Sequence, residues 1–183
     1  MSPITTPGEV GLTVHELLAI IQRRMEWNWK TKHAAGAPYD LHDGLDPSFE
    51  GEGMWITDLY TRKAVERIQN HNSSTPLFLY LAFQAPHNKI QRPPDKYMSQ
   101  YSGVTSVYQR GLPRQHDVHK AAAVTALDSG VGKVVDALKE ADLYDNSVIV
   151  FTTDNGGYAN GASNFPLRAG KESLYEGRDD ICH

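Results

Sequence analysis

Two short apolar runs constrain this chain more than any other feature, because each empties directly into a polar loop. They are PLFLYLAF (Pro76–Phe83) and SVIVFTT (Ser147–Thr153). Each is rich in branched and aromatic residues, is bounded by turn formers and is too short for a helix, so each reads as a strand buried on both faces. Between them lies the clearest helical pattern, Gln115–Ala141, in which Val124, Leu127, Val131, Val134, Val135 and Leu138 form a stripe opposite Asp128, Lys133, Lys139 and Glu140. A second helix is expected from Thr57 to about Asn70, with Leu59, Val65 and Ile68 on its buried side. Helix, strand, loop, helix and strand in that order imply an α/β sheet with helices packed on its faces. The two runs should be parallel neighbours or near neighbours, joined by a right-handed crossover through the long helix.

The rest of the chain reads more simply. Residues 13–25 carry Val14, Leu17, Leu18 and Ile21 at helical spacing, with Thr13 able to cap them. Trp27–Gly53 is rich in Gly, Pro, Asp and His and reads as loop, and Asp142–Asn146 reads as a turn. At 183 residues the chain suits one domain with a real core. A net charge of −4 without any basic stripe gives no reason to expect nucleic acid. No apolar run is long enough to span a membrane, and MSPITTPGEV has no signal-peptide pattern as written. Cys182 is the only cysteine, so no internal disulfide is possible. Asn72-Ser73-Ser74 is a sequon and would accept a glycan in a secreted chain.

In open α/β sheets ligands collect beyond the carboxyl ends of the strands. The loops after Phe83 and Thr153 therefore bring His87 and Asp154 towards one another. Asp154-Asn155 offers a carboxylate and an amide carbonyl side by side, the oxygen donors that a hard cation takes, and Gly156-Gly157 permits a sharp turn and close backbone approach. Asp-Asn-Gly-Gly is also good turn chemistry in its own right. Two protein ligands are too few to hold such a cation tightly. His87, in Ala85-Pro86-His87-Asn88-Lys89, could donate to an anionic oxygen or protonate a leaving group, or be an inconsequential loop histidine. Lys171 could neutralise sulfate or phosphate as a point charge, or be a solvated surface lysine. His116 and His119 lack a third nitrogen or sulfur ligand nearby and read as surface residues. Asp40, His42 and Asp43 are suggestive in the same weak way.

Four segments together resemble the sulfatase family, in its arylsulfatase B-like branch. They are YDLHDG (Tyr39–Gly44), LFLYLAFQAPHNKIQRPPDKY (Leu77–Tyr97), SVIVFTTDNGG (Ser147–Gly157) and NFPLRAGKESLYEG (Asn164–Gly177), in family order and spacing. The resemblance covers residues 27–177 and implies an alkaline-phosphatase-like α/β fold, here with an incomplete, mostly parallel sheet and helices on both faces. It implies that Asp154 and Asn155 ligate a divalent cation, usually Ca²⁺, and that His87 and Lys171 bind the sulfate and its bridging oxygen and so serve catalysis. A sulfated small molecule or glycan would be the substrate, in a lysosomal or secreted setting. The family's nucleophile is a formylglycine made within Cys-x-Pro-x-Arg, and no such motif occurs in these 183 residues. The resemblance leaves residues 1–26 and 178–183 unplaced. The chain is accordingly read as a central fragment of a sulfuric ester hydrolase, inactive alone. Two alternatives stand beside that reading: a catalytically dead remnant that binds an anion or a partner, and a related metal-dependent phosphoesterase.

Overall fold

The structure is a computed structural model; it describes residues 41–43, 46–87, 92–103, 114–158 and 162–177. The expected helix over 13–25, Asp40, Asn88, Lys89 and Cys182 lie outside the described residues, as does the side chain of His116.

A two-residue hairpin comes first. Strands β1 (His42–Asp43) and β2 (Asp46–Pro47) pair antiparallel, with His42 opposite Pro47 and Asp43 opposite Asp46. The Ser48 N–H closes the ladder by donating to Leu41 O at 2.8 Å. Helix α1 follows at Ile56–Gln69, within one residue of its expected bounds. Asp58 in its first turn and Arg67 in its last complement the helix dipole. The helix stops at Asn70, whose side-chain amide and backbone N–H both donate to Glu66 O. Ion pairs tie the hairpin region to α1. Arg62 reaches Glu50 at 2.6 Å, Lys63 pairs with Glu50 and with Asp43, and Arg67 lies 3.8 Å from Asp43. Lys63 and Arg62 hold the Glu50 carboxyl below its usual range. Asp43, a suspected site residue, is thus part of this hairpin-to-helix network.

The short helix α2 (Asp95–Met98) runs into a 3₁₀ turn at Ser99–Tyr101. Buried Tyr97 donates to Asp58 Oδ1 at 2.6 Å, and Lys96 pairs with Asp58 Oδ2 at 2.8 Å. Burial works against the charge on Lys96, yet Asp58 and Tyr97 together hold the ammonium above its usual value. The long helix α3 (Arg114–Glu140) packs along α1. A 3₁₀ turn at Tyr144–Asn146 ends the helical part.

The core is built around α1 and α3 and has three clusters, of which the second joins the two helices. Leu41, Ile56, Leu59 and Tyr60 gather Leu81 and Phe83; Ile68, Ala137 and Leu138 gather Leu77, Leu79 and Val134; Tyr97, Ala122 and Ala126 gather Trp55 and Tyr101. The buried face of α3 matches the expected stripe near its end, where Leu138 is buried and Val134 packs beside it, and departs from it earlier. Val124 is 48% exposed, whereas Ala122, Ala123, Ala126 and Gly130 are buried. Close approach of two helices selects small residues, and Ala122, Ala126 and Gly130 recur at steps of four on one face. His119, read as a surface residue, is half-buried.

The two apolar runs also differ from expectation. Residues 77–83 are extended and alternate with period two: Leu77, Leu79, Leu81 and Phe83 pack on the helices, while Phe78 and Tyr80 face outward. One face is buried, not two. Residues 148–151 are exposed on both faces, Val148 at 92%. Among the described residues the only sheet is the β1–β2 hairpin, so the expected parallel pairing of the two runs is not seen. A strand buries its second face only beneath another layer, and the described residues place a layer on one side of 77–83 and on neither side of 148–151.

Candidate functional site

The site is built from three loops that lie far apart in sequence. The first follows the extended run 77–83, where a turn closed by the His87 N–H donating to Gln84 O at 3.1 Å presents His87 half-buried. The second is the turn Asp154–Gly157, which leaves Asp154 exposed and Asn155 half-buried. In that turn Thr153 Oγ1 donates to Asn155 O at 3.0 Å and Asn155 Nδ2 donates to Gly156 O at 2.9 Å. The third loop, 164–177, carries Lys171.

His87 and Lys171 meet. Lys171 Nζ stands 3.3 Å from His87 Nε2, across 84 residues of sequence. An ammonium has no lone pair, so in this contact Lys171 can only donate and Nε2 accept. The Lys171 backbone N–H donates to Gly157 O at 3.1 Å, which joins the third loop to the second. The structure therefore pairs His87 directly with Lys171, and it ties Lys171 through its backbone to the turn that holds Asp154 and Asn155.

Close backbone packing makes this junction possible. A Cβ on Gly156 would overlap Gly177 O, one on Gly170 would overlap Gly157 O, and one on Gly177 would sit 2.5 Å from both Arg168 O and Ala169 O. Ala169 (φ 63°) and Glu172 (φ 69°) hold left-handed conformations on either side of Gly170-Lys171. Such conformations cost roughly 1 kcal/mol or more for a residue with a Cβ and persist where surrounding contacts enforce them. The Arg168 guanidinium lies 3.8 Å over the Tyr175 ring and braces the outer side of the loop.

Asn164 was not singled out from the sequence, although its segment was. Its Oδ1 accepts the Gly157 N–H at 2.8 Å, and its Nδ2 donates to Gly157 O and to Ala169 O, both at 2.9 Å. An Asn placed among loop glycines is the one signal that could have drawn attention to it.

As cation ligands, Asp154 and Asn155 have the right chemistry, oxygen donors for a hard ion, but not the number. Among the described residues no three His, Cys, Asp or Glu side chains group together as a metal site. The pair is at most part of a coordination shell. Asn72 is exposed in the turn after α1, and its Oδ1 accepts the N–H of Ser74 at 3.1 Å and its hydroxyl at 2.8 Å.

Comparison with known proteins adds an independent line. The family model described as Sulfatase matches residues 21–181. Arylsulfatase J of Mus musculus is 33% identical over 141 residues, which is 76% of this chain and 22% of that protein. N-acetylgalactosamine-6-sulfatase of Homo sapiens is 32% identical over 127 residues, 67% of this chain and 22% of that protein. Among solved structures, Ps i-CgsB in complex with k-i-k-neocarrahexaose is 40% identical with a TM-score of 0.57, covering 69% of this chain and 27% of that one. The chain thus spans about a quarter or less of the length of these relatives. With a family match across most of its length and a histidine–lysine pair assembled from two of the motifs that first suggested it, the chain belongs to the sulfatase family.

Proposed function

We propose that this chain carries the sulfate-binding part of a sulfuric ester hydrolase, with His87 and Lys171 as the groups that meet the anion. The observation that carries the reading is the 3.3 Å contact between Lys171 Nζ and His87 Nε2. Two nitrogen side chains brought together from distant loops form a place for a tetrahedral anion. An entering sulfate oxygen draws the Lys171 ammonium away from the imidazole, which frees Nε2 to take a proton from water and pass it to the bridging oxygen. Lys171 supplies fixed positive charge against the charge that develops on the ester, which is worth most in a partly dehydrated site. His87 supplies the proton that an alcohol needs in order to leave.

Asp154 and Asn155 are proposed as two ligands of a divalent cation, Ca²⁺ by family resemblance, which when bound adds charge opposite the sulfate. The solved relative with k-i-k-neocarrahexaose supports a sulfated glycan as substrate class. The family resemblance also leads us to propose an alkaline-phosphatase-like parent fold, a lysosomal or secreted setting, and with it a glycan on Asn72. Because these 183 residues contain no Cys-x-Pro-x-Arg, the chain by itself is proposed to bind sulfate and not to turn over its esters. Losing a covalent nucleophile costs on the order of 10⁶ in rate in well-studied hydrolases. Titration of the chain with inorganic sulfate, followed by the backbone and side-chain resonances of His87 and Lys171, tests the site. Binding that weakens about tenfold or more in Lys171→Ala supports it, since a charge-assisted hydrogen bond is lost. Metal-dependent cleavage of an aryl sulfate by this chain alone, abolished by Asp154→Ala, would overturn the inactivity.

A further inference from the structure

We propose that Asn164 is a positioning residue of this anion site: its carboxamide locks the Asp154–Gly157 turn to the Lys171 loop and so fixes where the ammonium stands beside His87. The inference rests on the reading of His87 and Lys171 as the anion site. One side chain satisfies both polar groups of Gly157, accepting its N–H at 2.8 Å and donating to its carbonyl at 2.9 Å. The same amide donates its second hydrogen to Ala169 O at 2.9 Å, two residues before Lys171. Gly157 O also takes the Lys171 N–H at 3.1 Å, so a single carbonyl is the hub on which clamp and cation-bearing residue both hang.

A carboxamide end offers two donors and an acceptor in one plane without net charge. A carboxylate would repel the two carbonyls, and a hydroxyl could not reach all three groups. The clamp also holds a costly backbone: Ala169 and Glu172 flank Lys171 at φ 63° and 69°, conformations that a free loop would leave. Both amide hydrogens of Asn164 are spent on carbonyl oxygens, so the residue acts through Lys171 and does not touch the substrate. Its placement decides an alignment, because Lys171 reaches the anion only if its loop keeps this conformation.

The test uses the whole chain and three variants, Asn164→Ala, Asn164→Gln and Lys171→Ala, with inorganic sulfate as the probe. Amide hydrogen exchange is read at Gly157 and Lys171, with α1 and α3 as the control for folding. In Asn164→Ala exchange at both amides should quicken about tenfold, and the sulfate dissociation constant should rise several-fold, each the cost of roughly one net hydrogen bond. Helical exchange should not change. Asn164→Gln, which keeps the carboxamide, should recover part of both losses. Unchanged exchange at Gly157 and Lys171 in Asn164→Ala overturns the positioning role. Loss of protection across α1 and α3 overturns it too, since the side chain would then support the fold at large. If sulfate moves neither His87 nor Lys171 in the unaltered chain, the anion-site reading fails, while the exchange comparison still decides whether Asn164 clamps the two loops.

Discussion

Gly130→Ala sets two effects of similar size against each other at the α1–α3 crossing. In an exposed helix the change would stabilise by about 1 kcal/mol through helix propensity. Here an added Cβ would sit 2.5 Å from Thr61 Oγ1 and 3.3 Å from Phe83 Cζ. Thr61 cannot easily yield. It is 4% exposed, β-branched, and its hydroxyl donates to Thr57 O at 2.7 Å. Relief requires either parting the helices or turning Thr61 and losing that hydrogen bond, worth about 1 kcal/mol. Overpacking of a close contact costs about 1–3 kcal/mol. The clash therefore wins, and the net expectation is destabilisation by about 1–2 kcal/mol. In urea unfolding followed by far-ultraviolet circular dichroism, that moves the midpoint down by about 0.5–1 M for a usual slope. The control is Thr61→Ala: with Oγ1 gone, adding Gly130→Ala should cost little or nothing, and the difference between the two backgrounds measures the contact. A Gly130→Ala chain that unfolds at the same or higher urea concentration with Thr61 in place would refute the close helix approach.

Three further outcomes follow from the packing. Burial pushes Tyr60 from 10.0 up to about 12, so the folded chain holds this proton more tightly than the unfolded one. That stability is complete below pH 10 and is lost as pH rises towards 12, an effect of about 2–3 kcal/mol, and Tyr60→Phe should flatten the alkaline limb of a stability–pH curve; an unchanged limb rejects the assignment. Tyr97→Phe keeps the ring against Ala122 and Ala126 but loses the bond to Asp58 Oδ1, and with Lys96 still paired to Asp58 the cost should be about 1–2 kcal/mol in thermal or urea unfolding. A Tyr97→Phe chain as stable as its parent would show that bond to be energetically idle. Val148→Lys with Val150→Lys should reduce self-association in sedimentation velocity, because 148–151 exposes an apolar extended run with strong β propensity; equal association in the two chains would place the adhesive surface elsewhere.

How much the sequence disclosed depended on how local each signal was. Helices α1 and α3 were legible to within a residue, since their periodicity and boundaries reside in the helices themselves. The buried face of α3 was legible near its end, where Leu138 and Val134 pack as expected, but not earlier in the helix. Val124 looked like core, but Ala122 and Ala126 are buried beside Tyr97 and Gly130 lies against Thr61, and small residues carry almost no weight in a hydrophobicity pattern. The two apolar runs failed for the opposite reason. Their composition announces burial on both faces, yet burial is supplied by neighbours, and nothing inside PLFLYLAF or SVIVFTT says which side a neighbour occupies. Helices cover the odd positions of 77–83, and the described residues put nothing over the even ones or over 148–151.

The site followed a different logic. Lys171 and His87 were legible because their segments resemble a known family, residue type alone leaving each with an inconsequential reading; the structure joins them at 3.3 Å. Asn164 was invisible to the same reasoning because its partners are backbone atoms of Gly157 and Ala169, which any sequence possesses. Chemistry-bearing residues advertise themselves by the motifs that carry them, whereas the residues that aim them show only through geometry. This asymmetry bears on function. A lysine on a loop with two left-handed residues beside it would sample many positions, and its charge would be spread over all of them. Holding that loop through one carbonyl, with a carboxamide on one side and the lysine's own N–H on the other, converts a mobile charge into a directed one. An electrostatic site gains from a charge that is already in place before the anion arrives.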